Sequence, residues 1–227
     1  SGPSNGSLGP VVSTGPTSAD VLYTPSLDYN GSDSFVFRAD DGNGGTDDAT
    51  ATITIGAVND APSFLAGPSV TVLEDSAAQT YPNWVTSISP GPSDEAGQNV
   101  AFTVTTDAPE LFSVQPSVDA SGTLTFTPAA NAFGSAALTI VAQDDGGTAN
   151  GGDDTSDAQS SNITLTAVND EPSFAAGGDQ SALEDAGAQS EAGWATAISA
   201  GAGESQTVTF HLSNDNAALF ASAPAVA

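Results

Sequence analysis

The feature that most constrains this chain is a long internal repeat. Val58-Asn59-Asp60-Ala61-Pro62-Ser63-Phe64 returns 110 residues on as Val168-Asn169-Asp170-Glu171-Pro172-Ser173-Phe174. A matched series follows each copy. Leu73-Glu74-Asp75 is repeated by Leu183-Glu184-Asp185, Trp84 by Trp194, and Ile88-Ser89 by Ile198-Ser199. Val100-Ala101-Phe102 then aligns with Val208-Thr209-Phe210, and Leu111-Phe112 with Leu219-Phe220. Self-similarity of this kind settles the organisation before any local propensity does.

The remaining part of the unit repeats as well. Tyr23-Thr24-Pro25 and Gly31-Ser32 match Phe126-Thr127-Pro128 and Gly134-Ser135. The acidic turn Ala39-Asp40-Asp41-Gly42 matches Ala142-Gln143-Asp144-Asp145-Gly146. Residues 1–58 therefore read as the back half of one unit, 59–168 as a complete unit, and 169–227 as the front half of the next. A lone half-sandwich would expose sheet edges and an apolar face. The expected explanation is a window cut from a longer array, and the lack of any Met agrees with a start that is not a natural N-terminus. The other reading is that half-units complete each other between chains.

The periodicity is that of strands. Ala49–Ile55 alternates Thr with Ala or Ile, and Ser34–Ala39 places Phe35 and Phe37 on one face, Val36 and Arg38 on the other. Val100–Thr105, Thr123–Thr127, Ala137–Val141 and Asn162–Ala167 behave alike, and Gly, Pro, Asn, Asp and Ser fill the gaps. The expected fold class is all-β: tandem Greek-key sandwiches of about seven strands per unit, set end to end as an elongated rod. Trp84–Ile88 is the one stretch expected to form a helical turn.

Charge narrows the partners. Of 227 residues 28 are acidic and one, Arg38, is basic, for a net charge of -27. Nucleic acid is excluded, because phosphate binding needs Lys and Arg to release counterions. No run of 18 or more apolar residues marks insertion into a membrane by this segment. With no Cys there is neither a disulfide framework nor a zinc-thiolate site. Cations are the natural partners, since crowded carboxylates repel unless neutralised. Calcium ions, which take six to eight oxygens, suit the residues present; a purely solvated acidic surface is the competing reading.

Two stretches resemble the cadherin-like, Ig-like repeats of large bacterial surface proteins. One runs from Phe35-Val-Phe-Arg-Ala-Asp-Asp-Gly42 through a strand to Val58-Asn59-Asp60-Ala-Pro. The other is the series Trp84, Ile88, Ser89, Glu95, Gln98 and Phe102. The resemblance implies calcium at the junctions between units. At the first junction it implies Asn59 and Asp60 from the linker, Asp94 or Glu95 as the acidic pair, Asp144 or Asp145 from the loop, and Asp28 from the preceding unit. At the second it implies Glu74, Asn169, Asp170 and Glu204. There are departures: Ala57 and Ala167 stand where the family linker begins with Asp, and Pro128-Ala-Ala-Asn-Ala-Phe133 offers no acid where Asp28 would recur, which weakens the second set. Two acidic loops, Asp40, Asp41, Asp47 and Asp48, and Asp144, Asp145, Asp153, Asp154 and Asp157, are further candidates or plain Asp turns.

The implied function is a calcium-stabilised spacer or shaft of a bacterial extracellular adhesin or surface filament, touching neighbouring repeats of its own chain. The alternatives are a module gripping carbohydrate or a surface protein ligand, and a subunit that assembles with other copies into a fibre. No enzyme is expected: His211, the single histidine, lies in the strand-like Phe210-His211-Leu212 without a catalytic partner. Trp84 and Trp194 are expected in cores, and Arg38 is expected to pair with a carboxylate on an outer face.

Overall fold

The computed structural model describes residues 1–226; Ala227, which closes the third sequence segment, lies outside them. Strands and short turns make up the chain, with 3-10 turns in place of α-helices.

In the first segment β1 (Gly6–Leu8) pairs with β4 (Tyr23–Pro25), and β2 (Val12–Gly15) with β3 (Ser18–Asp20). The long hairpin of β5 (Gly31–Asp40) and β6 (Thr46–Ile55) dominates it. Period-2 alternation sets its faces as expected, and Phe35 is buried. Opposite residues Arg38 and Asp48 form a two-pronged pair, Nε to Oδ1 at 2.6 Å and Nη2 to Oδ2 at 2.8 Å.

Asp33 clasps this segment together. Its carboxylate accepts hydrogen bonds from the Ser4, Asn5 and Ser34 amides and from the Tyr23 hydroxyl, at 2.8–3.0 Å. Burial alone would push its pKa up; the hydrogen bonds outweigh that and hold it below the usual carboxylate range. Because the folded value is the lower one, Asp33 stabilises the fold above the unfolded-state pKa of about 4. That contribution drains away as pH falls from there through the folded value. Exchange protection of the Ser4 and Asn5 amides is therefore expected to drop on acidification from neutral pH through that window, and to show no such step in Asp33→Asn. Flat protection in the unmodified chain would refute the clasp.

The central segment holds the core. Its strands are β7 (Ser63–Leu65), β8 (Val70–Leu73), β9 (Gln79–Tyr81), β10 (Thr86–Ser89), β11 (Val100–Thr106), β12 (Phe112–Val118), β13 (Leu124–Pro128), β14 (Gly134–Asp144) and β15 (Gln159–Thr166). A four-stranded sheet in the order β11-β14-β15-β8 faces a three-stranded sheet in the order β12-β13-β9, with β7 and β10 as a separate ribbon. All pairs are antiparallel except β15 with β8. Alternate residues of β14 (Ala136, Leu138, Ile140, Ala142) point inward and are sealed from water, as are Leu124 and Phe126 of β13 and Ile163 of β15. This is an Ig-like β-sandwich.

Trp84 sits in that core, its Nε1 donating to the Pro68 carbonyl at 2.9 Å. The helical turn expected over Trp84–Ile88 is not there. Thr86–Ser89 is extended and pairs with β7, Ser87 is left-handed at φ 53°, and the Val85 amide is claimed by the Gly122 carbonyl. Tertiary hydrogen bonds override the local preference.

In the third segment β16 (Ser173–Ala176) pairs with β17 (Ala195–Ser199), as β7 pairs with β10. Trp194 repeats the Trp84 bond, donating to the Gly178 carbonyl at 3.2 Å. Phe210-His211-Leu212, expected as strand, has no strand partner.

Candidate metal centres at the two linkers

The first linker leaves β6 and runs against two loops of the central sandwich, those between β10 and β11 and between β14 and β15. Asn59 is buried and fully engaged: Nδ2 donates to Asp144 Oδ1 at 2.9 Å and to the Asp153 carbonyl at 2.6 Å, while Oδ1 accepts from Gln98 Nε2 at 2.7 Å. The Asp60 amide donates to Glu95 Oε1 at 2.9 Å. Glu95 and Asp144 are each only 6% exposed, and Glu95 Oε2, Asp144 Oδ2 and Gln98 Oε1 are buried with no hydrogen-bond partner. Two glycines allow the close approach. A Cβ on Gly146 would strike Asn59 Oδ1, and one on Gly91 would strike Glu95 Oε2.

On the outer side of this linker lies a cleft of about 260 Å³, lined by Asp28, Asp60 and Asp94 among its residues. Asp94 Oδ2 accepts from Asn30 Nδ2 at 2.9 Å, and Asn150 Nδ2 donates to the Ala57 carbonyl at 3.1 Å. Asp28 takes the left-handed turn at φ 56°, and its sequence counterpart Asn131 takes it at the same angle, a conformation that Asp and Asn tolerate.

Asp145 faces away. Its carboxylate accepts from the Asn99 side-chain and main-chain amides, both at 2.8 Å, and these bonds lower its pKa. Of the loop pair only Asp144 reaches the linker. Gln98 is the participant that was not singled out as a site residue. Its signal was its recurrence as Gln206, whose Nε2 lies 3.5 Å from Asn169 Oδ1.

The second linker repeats part of this arrangement. The Val168 amide donates to Glu74 Oε1 at 2.8 Å, and the Asp170 amide to Glu204 Oε1 at 2.9 Å. Glu74 is 3% exposed, and Glu74 Oε2, Asp170 Oδ2 and Glu204 Oε2 are buried without partners. Asn169, unlike Asn59, is not clamped by a loop acid; its Nδ2 donates to the Asp170 carbonyl.

Several acids of the two acidic loops are spent locally. Asp41 caps the amides of Asn43 and Gly45, Asp48 holds Arg38, Asp153 holds the Thr155 amide, and Asp154 holds Thr155 Oγ1 and Gln143 Nε2. Among the described residues no three acidic or histidine side chains converge tightly enough to enclose a metal ion. The linker residues fit calcium in kind, as all-oxygen donors with unused buried lone pairs, while standing apart from one another. No helix among the described residues is long and apolar enough to cross a membrane.

Fold and linkers together define an Ig-like structural domain. The sequence profile of the bacterial Ig domain family matches residues 2–54 and 59–153, and the chain belongs to that family. No curated protein matches it. Among solved structures it is similar to mouse protocadherin-24 EC1-3, with 14% identity over 64% of this chain and 50% of that one, at a TM-score of 0.39. It is also similar to the protocadherin GammaB4 extracellular domain, with 18% identity over 78% of this chain and 30% of that one, at a TM-score of 0.41. Chicken VE-cadherin EC1-2 shares 18% identity over 69% of this chain and 77% of that one, at a TM-score of 0.35. The chain spans half the length of the protocadherin-24 structure.

Proposed function

We propose that this chain is a calcium-stabilised structural repeat, a spacer or shaft of a bacterial extracellular adhesin or surface filament. Its units divide at 1–58, 59–168 and 169–227. The observation that carries this reading is the set of buried carboxylate oxygens without partners at both linkers: Glu95 Oε2 and Asp144 Oδ2, then Glu74 Oε2, Asp170 Oδ2 and Glu204 Oε2.

A buried carboxylate needs hydrogen bonds or a counter-charge. The only Arg is committed to Asp48, and there is no Lys. The counter-charge must come from solution, and a hard divalent cation with flexible oxygen coordination fits best. Asn59, Asp60, Glu95 and Asp144 would hold it at the first linker, with Asp28 and Asp94 reaching it across the cleft. Glu74, Asn169, Asp170 and Glu204 would serve the second. The ion supplies positive charge that ties linker and loops together, so that successive repeats form a stiff rod. Calcium is abundant outside cells, which matches an extracellular or cell-surface setting for such a site.

Isothermal titration of the whole chain tests this. Calcium is expected to bind with a Kd of about 10⁻⁴–10⁻³ M, the range of extracellular modules. Magnesium, which demands tighter octahedral geometry, should bind more weakly. Glu95→Gln should abolish the sites at the first linker and leave those at the second. Absence of calcium-specific heat at concentrations well above that range would overturn the reading.

A further inference from the structure

We propose that two copies of this chain pair side by side through the outer edge of β11 in the complete central sandwich, each β11 running antiparallel to the other about a two-fold axis at Thr103. This goes beyond the calcium reading and does not depend on it.

In the order β11-β14-β15-β8, strand β11 has a neighbour on one side only. Its main-chain groups alternate in direction, and the bonds around it fix the phase. The Asp144 amide donates to the Asp154 carbonyl and the Ser156 amide to the Ala142 carbonyl, so even-numbered residues of β14 bond away from β11. The Asp107 amide donates to the Ala137 carbonyl, so odd-numbered residues bond across the β11–β14 ladder. Val100, Phe102, Val104 and Thr106 therefore aim their N–H and C=O groups outward. Among the described residues no other main-chain group bonds to them. Strand β12, which follows through the turn Pro109–Leu111, is hydrogen-bonded into the facing sheet.

The other three edges of this sandwich are guarded. β12 contains Pro116 and slips register twice, between Phe112 and Val114 and between Val114 and Ser117. β9 has three residues and runs into Pro82. β8 has four and runs into Glu74 and Asp75. Proline, bulges, shortness and charge are what keep an edge from pairing. β11 has none of these. Its seven residues, Val-Ala-Phe-Thr-Val-Thr-Thr, hold one register against β14 throughout and carry no charge, in a chain with 28 acids. The edge is also unfinished on its inner face. Val100, Phe102 and Val104 point inward yet are only half-buried, whereas Leu138, Ile140 and Ala142 of β14, opposite Thr106, Val104 and Phe102, are sealed.

A second β11 suits this edge because the strand is complementary to itself. Setting Thr103 against Thr103 of the second copy places Phe102 opposite Val104, Val100 opposite Thr106 and Ala101 opposite Thr105, each twice. Inside, Phe102 and Val104 make two aromatic–β-branched pairs; outside, Thr103 meets its own copy. At either end Asn99 lies opposite Asp107, so no carboxylate faces another. The even-numbered residues meet as hydrogen-bonded pairs, which gives every outward group a partner. Two four-stranded sheets become one continuous sheet, and the two-fold contact closes at the dimer.

In that register Thr103 occupies a non-hydrogen-bonded pair, with Cα atoms about 4.5 Å apart, within disulfide reach. The chain has no Cys, so any disulfide reports an introduced residue. Full-length Thr103→Cys, mildly oxidised in enough salt to screen the mutual repulsion of the acidic chains, should give a covalent dimer and nothing larger. Ala101→Cys is exposed on the same face, but its two copies would lie about 13 Å apart along the paired strands, so it should stay monomeric. A mixture of Ala101→Cys and Thr105→Cys should give the heterodimer. Sedimentation of the unmodified chain should show a monomer–dimer equilibrium that strengthens with salt. Thr103→Asp, which sets two carboxylates against each other at an exposed position, should abolish that equilibrium and leave thermal unfolding of the monomer unchanged. A chain that stays monomeric at its highest soluble concentration in high salt, equal dimer from Thr103→Cys and Ala101→Cys, or a dimer that survives Thr103→Asp would overturn the proposal.

Discussion

Replacing Phe126 with alanine is expected to cost the central sandwich about 3–5 kcal/mol, a large part of the roughly 5–15 kcal/mol that holds a typical domain folded. Phe126 is almost completely buried at the centre of the three-stranded sheet. Phe112 meets it edge-on at 5.7 Å between ring centroids, and Tyr81 stacks on it at 6.1 Å with the planes only 11° apart. Removing the ring deletes both contacts and leaves a cavity between two sheets whose strands are pinned by their ladders. The site can collapse only a little, which places the cost toward the upper end of the range. Urea unfolding followed through Trp84 in a Trp194→Phe background measures it. The midpoint should fall with the slope unchanged. A loss below about 1 kcal/mol would mean that the ring is not the keystone its burial implies.

Withdrawing calcium should produce the second large effect. At calcium ten to a hundred times above Kd, each occupied site adds about 1–3 kcal/mol by mass action. Chelation should therefore lower Tm by roughly 5–15 °C, an effect that sodium at equal ionic strength does not reproduce. Glu95→Gln separates a metal ligand from a merely structural acid. With calcium it should be less stable than the unmodified chain. In chelator the order should invert, because the substitution removes a buried charge for which the chain supplies no counter-charge. If Glu95→Gln is the weaker protein in both conditions, Glu95 acts through its bond to the Asp60 amide and the metal reading of the first linker is wrong.

Much of the fold was legible because its signals are local and repeated. Period-2 alternation placed Phe35 and Phe37 on one face of β5 and Val36 and Arg38 on the other. Two Trp positions recur with the same hydrogen bond to a carbonyl sixteen residues earlier. The helical turn expected at Trp84–Ile88 failed because the forces deciding it lie in distant chain: the Gly122 carbonyl holds the Val85 amide, and β7 supplies the ladder for Thr86–Ser89. The linker acids divide the same way. Asn59, Asp60, Glu95 and Asp144 gather around one crossing of the chain. Asp145, adjacent to Asp144 and chemically identical, is drawn off by Asn99.

Repetition, charge and alternation are properties of order along the chain. From them alone follow the period, the all-β class and the choice of linkers as the places to look. Which oxygen of which acid is buried and left without a partner depends on loops 35 to 94 residues apart meeting at one point, and on glycines at 91 and 146 letting them close. Those distances are set by packing two sheets face to face, so only the folded molecule could show them.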